Sequence, residues 1–287
     1  MTGAASGLGL ATTEALARAG GQVILAVRDA AKGHRAVAAI SAAQPGARLE
    51  VRRVDLADLD SVHAFAEGLR ADHSRLDVLV NNAGVMAPPR TLSAQGHELQ
   101  FAANHLGHFA LTGLLLDRLA DADDPRVVTV TSANHRQGRL FFDDLSGERA
   151  YAPMRFYNQS KLANAVFGWE LHRRLSAVAS RVRSVLAHPG YAATNLQHGT
   201  PVAPIRMLYG RILAPLAQTP DQGARSQLYA ATAPKARGGQ LIGPGGFGEL
   251  RGAPRRVPLS ATATDAETGD RLWTVSESLT GVRFTDG

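Results

Sequence analysis

The chain has 287 residues, 45% apolar and 20% charged, the proportions of an ordinary globular protein and not of a disordered one. Its longest apolar run, Phe109 to Leu116, is broken by Thr112 and Gly113 and stops at Asp117, short of the ~18 residues a membrane span needs. The absence of cysteine excludes disulfides, thiol catalysis and cysteine-ligated metal, and fits a cytoplasmic protein. The formal charge of +6 comes from scattered arginines, since only Lys32, Lys161 and Lys235 are lysines, and no nucleic-acid partner is expected.

The chain opens on a turn, Thr2-Gly3-Ala4-Ala5-Ser6-Gly7-Leu8-Gly9, followed at once by a helical pattern over Leu8–Ala19. Glycines there let the backbone turn sharply and approach a pyrophosphate seated on a helix N-terminus. Such a turn should follow a strand, and only Met1 precedes it. The expectation is therefore a sheet lacking its first, central strand, in a natural protein that begins further upstream.

Short β-branched runs then alternate with longer helical stretches. Strands are predicted over Gln22–Val27, Leu49–Val54, Leu76–Asn81, Val127–Ser132, Val182–Ala187 and Gln240–Ile242. Helices are predicted over Ala31–Ala43, Leu59–Asp72, Gly96–Leu119, Tyr157–Ala179, Asp221–Thr232 and Glu267–Leu279. Right-handed crossovers between parallel strands make this an α/β fold, a doubly wound, Rossmann-like parallel sheet. One domain accounts for residues 1–287. Residues 195–218, rich in Pro, Leu, Ile and Met, are read as an apolar substrate lid, and 243–287 as a C-terminal extension that begins as loop.

Several motifs recur along this frame in order. Asn82-Ala83-Gly84 follows the third strand; Asn104 opens Asn104-His105-Leu106-Gly107-His108-Phe109; Ser132 closes the fourth strand. Tyr157 and Lys161 are four apart on one helix face, and His188-Pro189-Gly190 follows the fifth strand, with Thr194 beyond it. An ammonium beside a phenol favours the phenolate, so Lys161 is expected to lower the pKa of Tyr157 and make it a usable proton donor and acceptor. Ser132, preferred here over Thr131, would hold the substrate oxygen beside it. Arg28 follows the second strand of such a fold, where an acidic residue would bind the ribose of NAD and an arginine the 2′-phosphate of NADP. Asp29 competes for the ribose role, but NADP is preferred to NAD.

This ensemble resembles the short-chain dehydrogenase/reductase family, and within it the retinol-dehydrogenase-like branch, on Asn104–Phe109, Ser160–Asn164 and the closing Leu272-Trp273-Thr274-Val275-Ser276-Glu277. The resemblance implies a catalytic set of Asn104, Ser132, Tyr157 and Lys161, with Asn104 holding a water of the proton relay and Lys161 also bonding the nicotinamide ribose. It implies a dinucleotide held by Thr2, Gly3, Ser6, Gly7, Leu8, Gly9, Arg28, Asp55, Leu56, Asn82, Ala83, Gly84, Tyr157, Lys161, Pro189, Gly190 and Thr194. Asp55 would face the adenine, and Pro189 to Thr194 the nicotinamide amide. The partner implied is a small, apolar carbonyl or alcohol substrate, and the family's habit of pairing through helices implies a homodimer or homotetramer. A silent NADP-binding regulatory or scaffold protein is the alternative, disfavoured because a pure binder has no need of Tyr157. A sugar-nucleotide epimerase fits the glycine spacing less well. His105 and His108 have no third partner at metal-ligand spacing, so no metal is expected. Asp143-Asp144 is read as a solvent-facing or capping pair, and Gly243–Gly248 as a plain turn.

Overall fold

The computed structural model describes residues 1–191 and 218–284. Its sheet is built from strands β1 (Gln22–Val27), β2 (Arg48–Arg53), β3 (Val78–Asn81), β4 (Arg126–Val130), β5 (Arg183–Ala187), β6 (Leu241–Pro244) and β7 (Pro254–Val257). Two pieces result, β1-β2 and β3-β4-β5-β6-β7, all parallel except β7. Residues Met1 to Gly3 bridge them: Ala26 N donates to Met1 O, Gly3 N to Ala26 O and Thr2 N to Val80 O, at 2.9, 2.9 and 3.1 Å. The seat between β1 and β3, expected to lack its strand, is thus occupied at the end nearest the glycine turn.

Burial follows strand position. The central β4 is buried along its whole length, as helices on both faces of a parallel sheet require. The edge strands carry charge or proline instead: β2 reads Arg-Leu-Glu-Val-Arg-Arg and β7 Pro-Arg-Arg-Val, which keeps their open edges from pairing with other chains. β7 was expected to be loop; its two exposed arginines give no apolar alternation to read.

One face of the sheet carries α1 (Gly7–Arg18), α2 (Ala30–Ala43) and α7 (Pro220–Thr232); the other carries α3 (Leu59–Asp72), α5 (Gly107–Ala120), α6 (Pro153–Ala177) and α9 (Ala266–Thr280). Alternation along a strand feeds both cores: Leu79 and Val127 pack toward Phe109 and Phe167, while Val80 and Val128 pack toward Ala230. The predicted helix over Gly96–Leu119 is more structured than its periodicity suggested. A single turn, α4 (Leu99–Phe101), leads into a π-helical turn over Ala102–Leu106 and then α5, and Asn104 sits inside that π turn. After β7 come a short α8 (Ala261–Thr264) and α9, whose Trp273 joins Phe109, Phe167 and Phe284 in an aromatic cluster against α5 and α6. No helix among the described residues is long and apolar enough to cross a membrane. Thr194, and the expected lid apart from Gln218, lie outside the described residues.

Candidate active site

The glycine turn lies at the C-terminal ends of β1 and β3, the switch point where such sheets bind ligands. It is close-packed. A Cβ on Gly9 would stand 2.1 Å from Gly3 O, and Gly3 itself has φ +63° with Ala83 Cα only 3.0 Å from where its Cβ would be. Ser6 is the N-cap of α1, but its side chain makes no capping bond, and the first turn holds no acidic residue. The positive end of α1 therefore has neither a capping side chain nor a first-turn carboxylate of its own, and the Ser6 hydroxyl lies beside it. That is the chemistry a pyrophosphate requires.

Thr2 organises the neighbouring segment. Its hydroxyl oxygen accepts from Asn82 N and Ala83 N at 2.9 and 3.0 Å. It also lies 2.9 Å from His108 Nε2, while His108 Nδ1 lies 2.9 Å from the Asn104 carbonyl. A carbonyl only accepts, so Nδ1 carries the proton; burial holds the imidazole neutral by lowering its pKa to about 4. Nε2 is then an acceptor, and Thr2 donates to it. In the sequence His108 stood out only as a metal ligand without a third partner. Its partners lie 106 and 4 residues away, and only the first reveals the link to the glycine turn.

The expected catalytic residues converge below this turn. Tyr157 and Lys161 lie on one face of α6, with Lys161 Nζ 5.8 Å from the centre of the Tyr157 ring, and both are buried. Gly84 passes so close that a Cβ there would lie 3.1 Å from Asn104 Oδ1 and 3.5 Å from Lys161 Nζ. Ser132 does not end β4, which stops at Val130; it caps a 3-10 turn over Ala133–Gln137. Thr131, its rival, is engaged elsewhere: its hydroxyl donates to Lys161 O at 2.7 Å. The Ser132 hydroxyl oxygen accepts from Asn134 N at 3.3 Å and neighbours the Tyr157 hydroxyl.

One expectation changes. Lys161 was expected to draw the phenol down, but burial dominates. It pushes Tyr157 up to about 12, opposed by hydrogen bonding from Ser132, and lowers Lys161 to about 8. The phenol of this structure is a neutral proton donor. The Asn104 side chain is held by protein atoms. Its Oδ1 accepts from Val85 N at 2.7 Å, and its Nδ2 donates to Val85 O and Ser160 Oγ, both at 2.9 Å. Asn104 ties the strand-β3 turn to α6.

At the outer end of the crevice, Arg28 is exposed just after β1. Asp29 is the N-cap of α2, and its carboxylate accepts from Lys32 N at 3.0 Å. Arg53, the last residue of β2, pairs with Val27, the residue before Arg28, in the β1–β2 register. Asp55 bonds Ala57 N through one carboxylate oxygen, and Leu56 is buried next to it under Gly107. Pro189 and Gly190 follow β5 toward the same crevice, Gly190 at φ +73°. No cluster of three metal-ligating side chains occurs among the described residues, and His105 is packed among Phe101, Phe109 and Phe167.

A doubly wound sheet with a glycine turn at its switch point and a Tyr–Lys pair below it defines a dinucleotide-dependent oxidoreductase class. Residues 1–202 match the short chain dehydrogenase family model. The chain is 38% identical to bovine retinol dehydrogenase 12, over 99% of this chain and 86% of that protein, and 40% identical to mouse polyprenol dehydrogenase, over 98% and 83%. A crystal structure of a Mycobacterium paratuberculosis protein superposes with a TM-score of 0.81 at 44% identity, over 99% of this chain and 93% of that one. The chain belongs to the short chain dehydrogenase family, in its retinol-dehydrogenase-like branch.

Proposed function

We propose that the protein interconverts an apolar carbonyl compound and its alcohol with NADP(H), using Tyr157 as proton donor and acceptor. The observation that carries this reading is the convergence of Ser132, Tyr157 and Lys161 beneath an uncapped α1 N-terminus and a turn whose glycines leave no room for side chains. The dinucleotide supplies or receives the hydride. Thr2, Gly3, Ser6, Gly7, Leu8 and Gly9 would hold its pyrophosphate, Asp55 and Leu56 its adenine, and Asn82, Ala83 and Gly84 its adenosine ribose. Lys161, with Tyr157, would hold the nicotinamide ribose, and Pro189, Gly190 and Thr194 the nicotinamide end.

In the reducing direction the Ser132 hydroxyl donates to the carbonyl oxygen and holds it against Tyr157. As negative charge develops there, the neutral phenol gives up its proton, and the nearby Lys161 ammonium stabilises the phenolate left behind. For the oxidising direction the same groups run in reverse. NADP(H) is preferred over NAD(H) because Arg28 is exposed at the ribose position while Asp29 is engaged in capping α2. An apolar substrate is favoured by the names of the relatives, since retinol and polyprenol are both isoprenoid alcohols, and by the Pro-, Leu-, Ile- and Met-rich stretch 195–218.

The test is reduction of retinal and of shorter aliphatic aldehydes with NADPH, comparing wild type with Tyr157→Phe. The variant should lose about two to four orders of magnitude in kcat while binding NADPH as wild type does. Equal turnover by the two proteins refutes the assignment; tight NADPH binding without turnover by wild type on any aldehyde supports the silent binder.

A further inference from the structure

The connection from β6 to β7 reaches back over the site and has no role in the reading above. It folds as a hairpin, with Gly245 N donating to Ala253 O and Gly246 N to Arg251 O, at 2.8 and 2.9 Å. At its tip Glu249 has φ +56°, a conformation that side chains with a Cβ rarely adopt. A glycine would sit there without strain, yet the chain places a glutamate. Strained positions of this kind cluster where function over-determines them.

Its carboxylate is what the position holds in place. Arg136 donates to both carboxylate oxygens, at 3.1 and 2.9 Å, and His188 Nε2 lies 2.9 Å from Oε2. His188 is wholly buried and the Glu249 side chain is 15% exposed, so this is a shielded contact and not a surface pair. On its other side, His188 Nδ1 accepts from Gly190 N at 3.2 Å. That fixes the tautomer: Nε2 carries the proton and donates it to Glu249, leaving Nδ1 free to accept. Space is tight around the ring, since a Cβ on Gly243 would come within 2.1 Å of Nε2. Arg136 belongs to the 3-10 turn that Ser132 caps, and it also donates to Pro258 O at 2.9 Å. The backbone beside Glu249 reinforces the arrangement, with Leu250 O accepting from Tyr191 N at 2.9 Å and from Gln218 Nε2 at 3.1 Å.

We propose that Glu249 is a positioning residue for hydride transfer: it holds His188 in the tautomer that fixes the Pro189–Gly190 turn, and through Arg136 ties that turn to the one bearing Ser132. The inference rests on the proposed function, in which Pro189 and Gly190 face the nicotinamide and Ser132 the substrate oxygen. Glu249 touches neither reactant. It sets the relation between the segments that do.

Glu249→Gly separates positioning from plain structural support, because it relieves the backbone while removing the carboxylate. Its thermal midpoint should stay near that of wild type, the relieved backbone offsetting the lost partner of His188 and Arg136. Its kcat for retinal should fall about tenfold, as small misplacements of reacting groups do, and the emission of bound NADPH should shift with a dissociation constant raised about fivefold. Glu249→Gln, which keeps an acceptor for His188 Nε2–H, should recover kcat to within about threefold of wild type. The double variant with His188→Asn should be no worse than His188→Asn alone, since both changes break one connection. Wild-type kcat and NADPH emission in Glu249→Gly overturn the proposal, as does full additivity with His188→Asn. A wild-type protein that binds no NADPH, or a Tyr157→Phe variant that turns over normally, instead overturns the underlying reading.

Discussion

Arg28 shows how one side chain's role depends on what its neighbour is doing. In sequence, Arg28 and Asp29 point to opposite cofactors, and nothing in the pair says which prevails. In the structure the Asp29 carboxylate accepts from Lys32 N and caps α2, which also holds its pKa below the usual carboxylate value. Arg28 remains exposed. Arg28→Asp should therefore weaken NADPH binding about ten- to a hundredfold, the worth of a charged hydrogen bond at roughly 1.5–3 kcal/mol, and leave NADH nearly unchanged. Titration by nicotinamide fluorescence measures both, and an unaltered NADPH:NADH ratio would remove Arg28 from the site. Tyr157 teaches the complementary lesson. Its spacing from Lys161 was legible in the sequence, but the direction of its pKa was not, because desolvation depends on what surrounds α6 and not on the interval between two residues.

At the scale of elements, the parallel strands and their helices were largely legible, because buried strands such as Val-Val-Thr-Val and amphipathic helices carry distinct periods. Three features escaped. The π turn at Ala102–Leu106 adds one residue to a helical repeat without disturbing its apolar composition. The charged edge strand β7 has no alternation to detect. Glu249 meets Arg136 and His188 across 113 and 61 residues, and such contacts leave no local signal. The glycine turn was visible from its letters, and the structure adds which glycines are essential. Gly9→Ala would drive a Cβ to 2.1 Å from the Gly3 carbonyl, a backbone atom that cannot swing aside. Overpacking of that kind costs about 1–3 kcal/mol, and the turn that receives the pyrophosphate would shift with it. The variant should unfold earlier on heating and bind NADPH at least about tenfold more weakly, since backbone displacement removes several phosphate contacts together. Gly46→Ala, which meets nothing within 4 Å, is the control and should behave as wild type in both measurements.

Taken over the whole molecule, the buried histidines set how stability responds to acid. Burial lowers His105 from an ordinary 6.5 to about 3, His108 to about 4 and His188 to about 4, the last despite the opposing pull of Glu249. Each is neutral in the folded protein at pH 5 and protonated in the unfolded chain, so unfolding takes up protons. These three imidazoles contribute stability that is fully present above about pH 6.5 and is lost as the pH falls toward about 4. Every proton taken up adds about 1.4 kcal/mol per pH unit to the slope, so three histidines give up to about 4 kcal/mol per unit below pH 6. Glu98 works the other way, because burial raises its pKa above 4.5 and the stability it contributes is present at low pH. It tempers the slope near pH 5 without reversing it. Urea unfolding between pH 4.5 and 7.5 should show the midpoint falling steeply below pH 6.5. His105→Gln should flatten that slope by about one proton, because its site is packed by Phe101, Phe109 and Phe167. A midpoint independent of pH across this range would mean that these imidazoles already reach water in the folded state, and that the polar link from Thr2 through His108 to Asn104 is open to solvent.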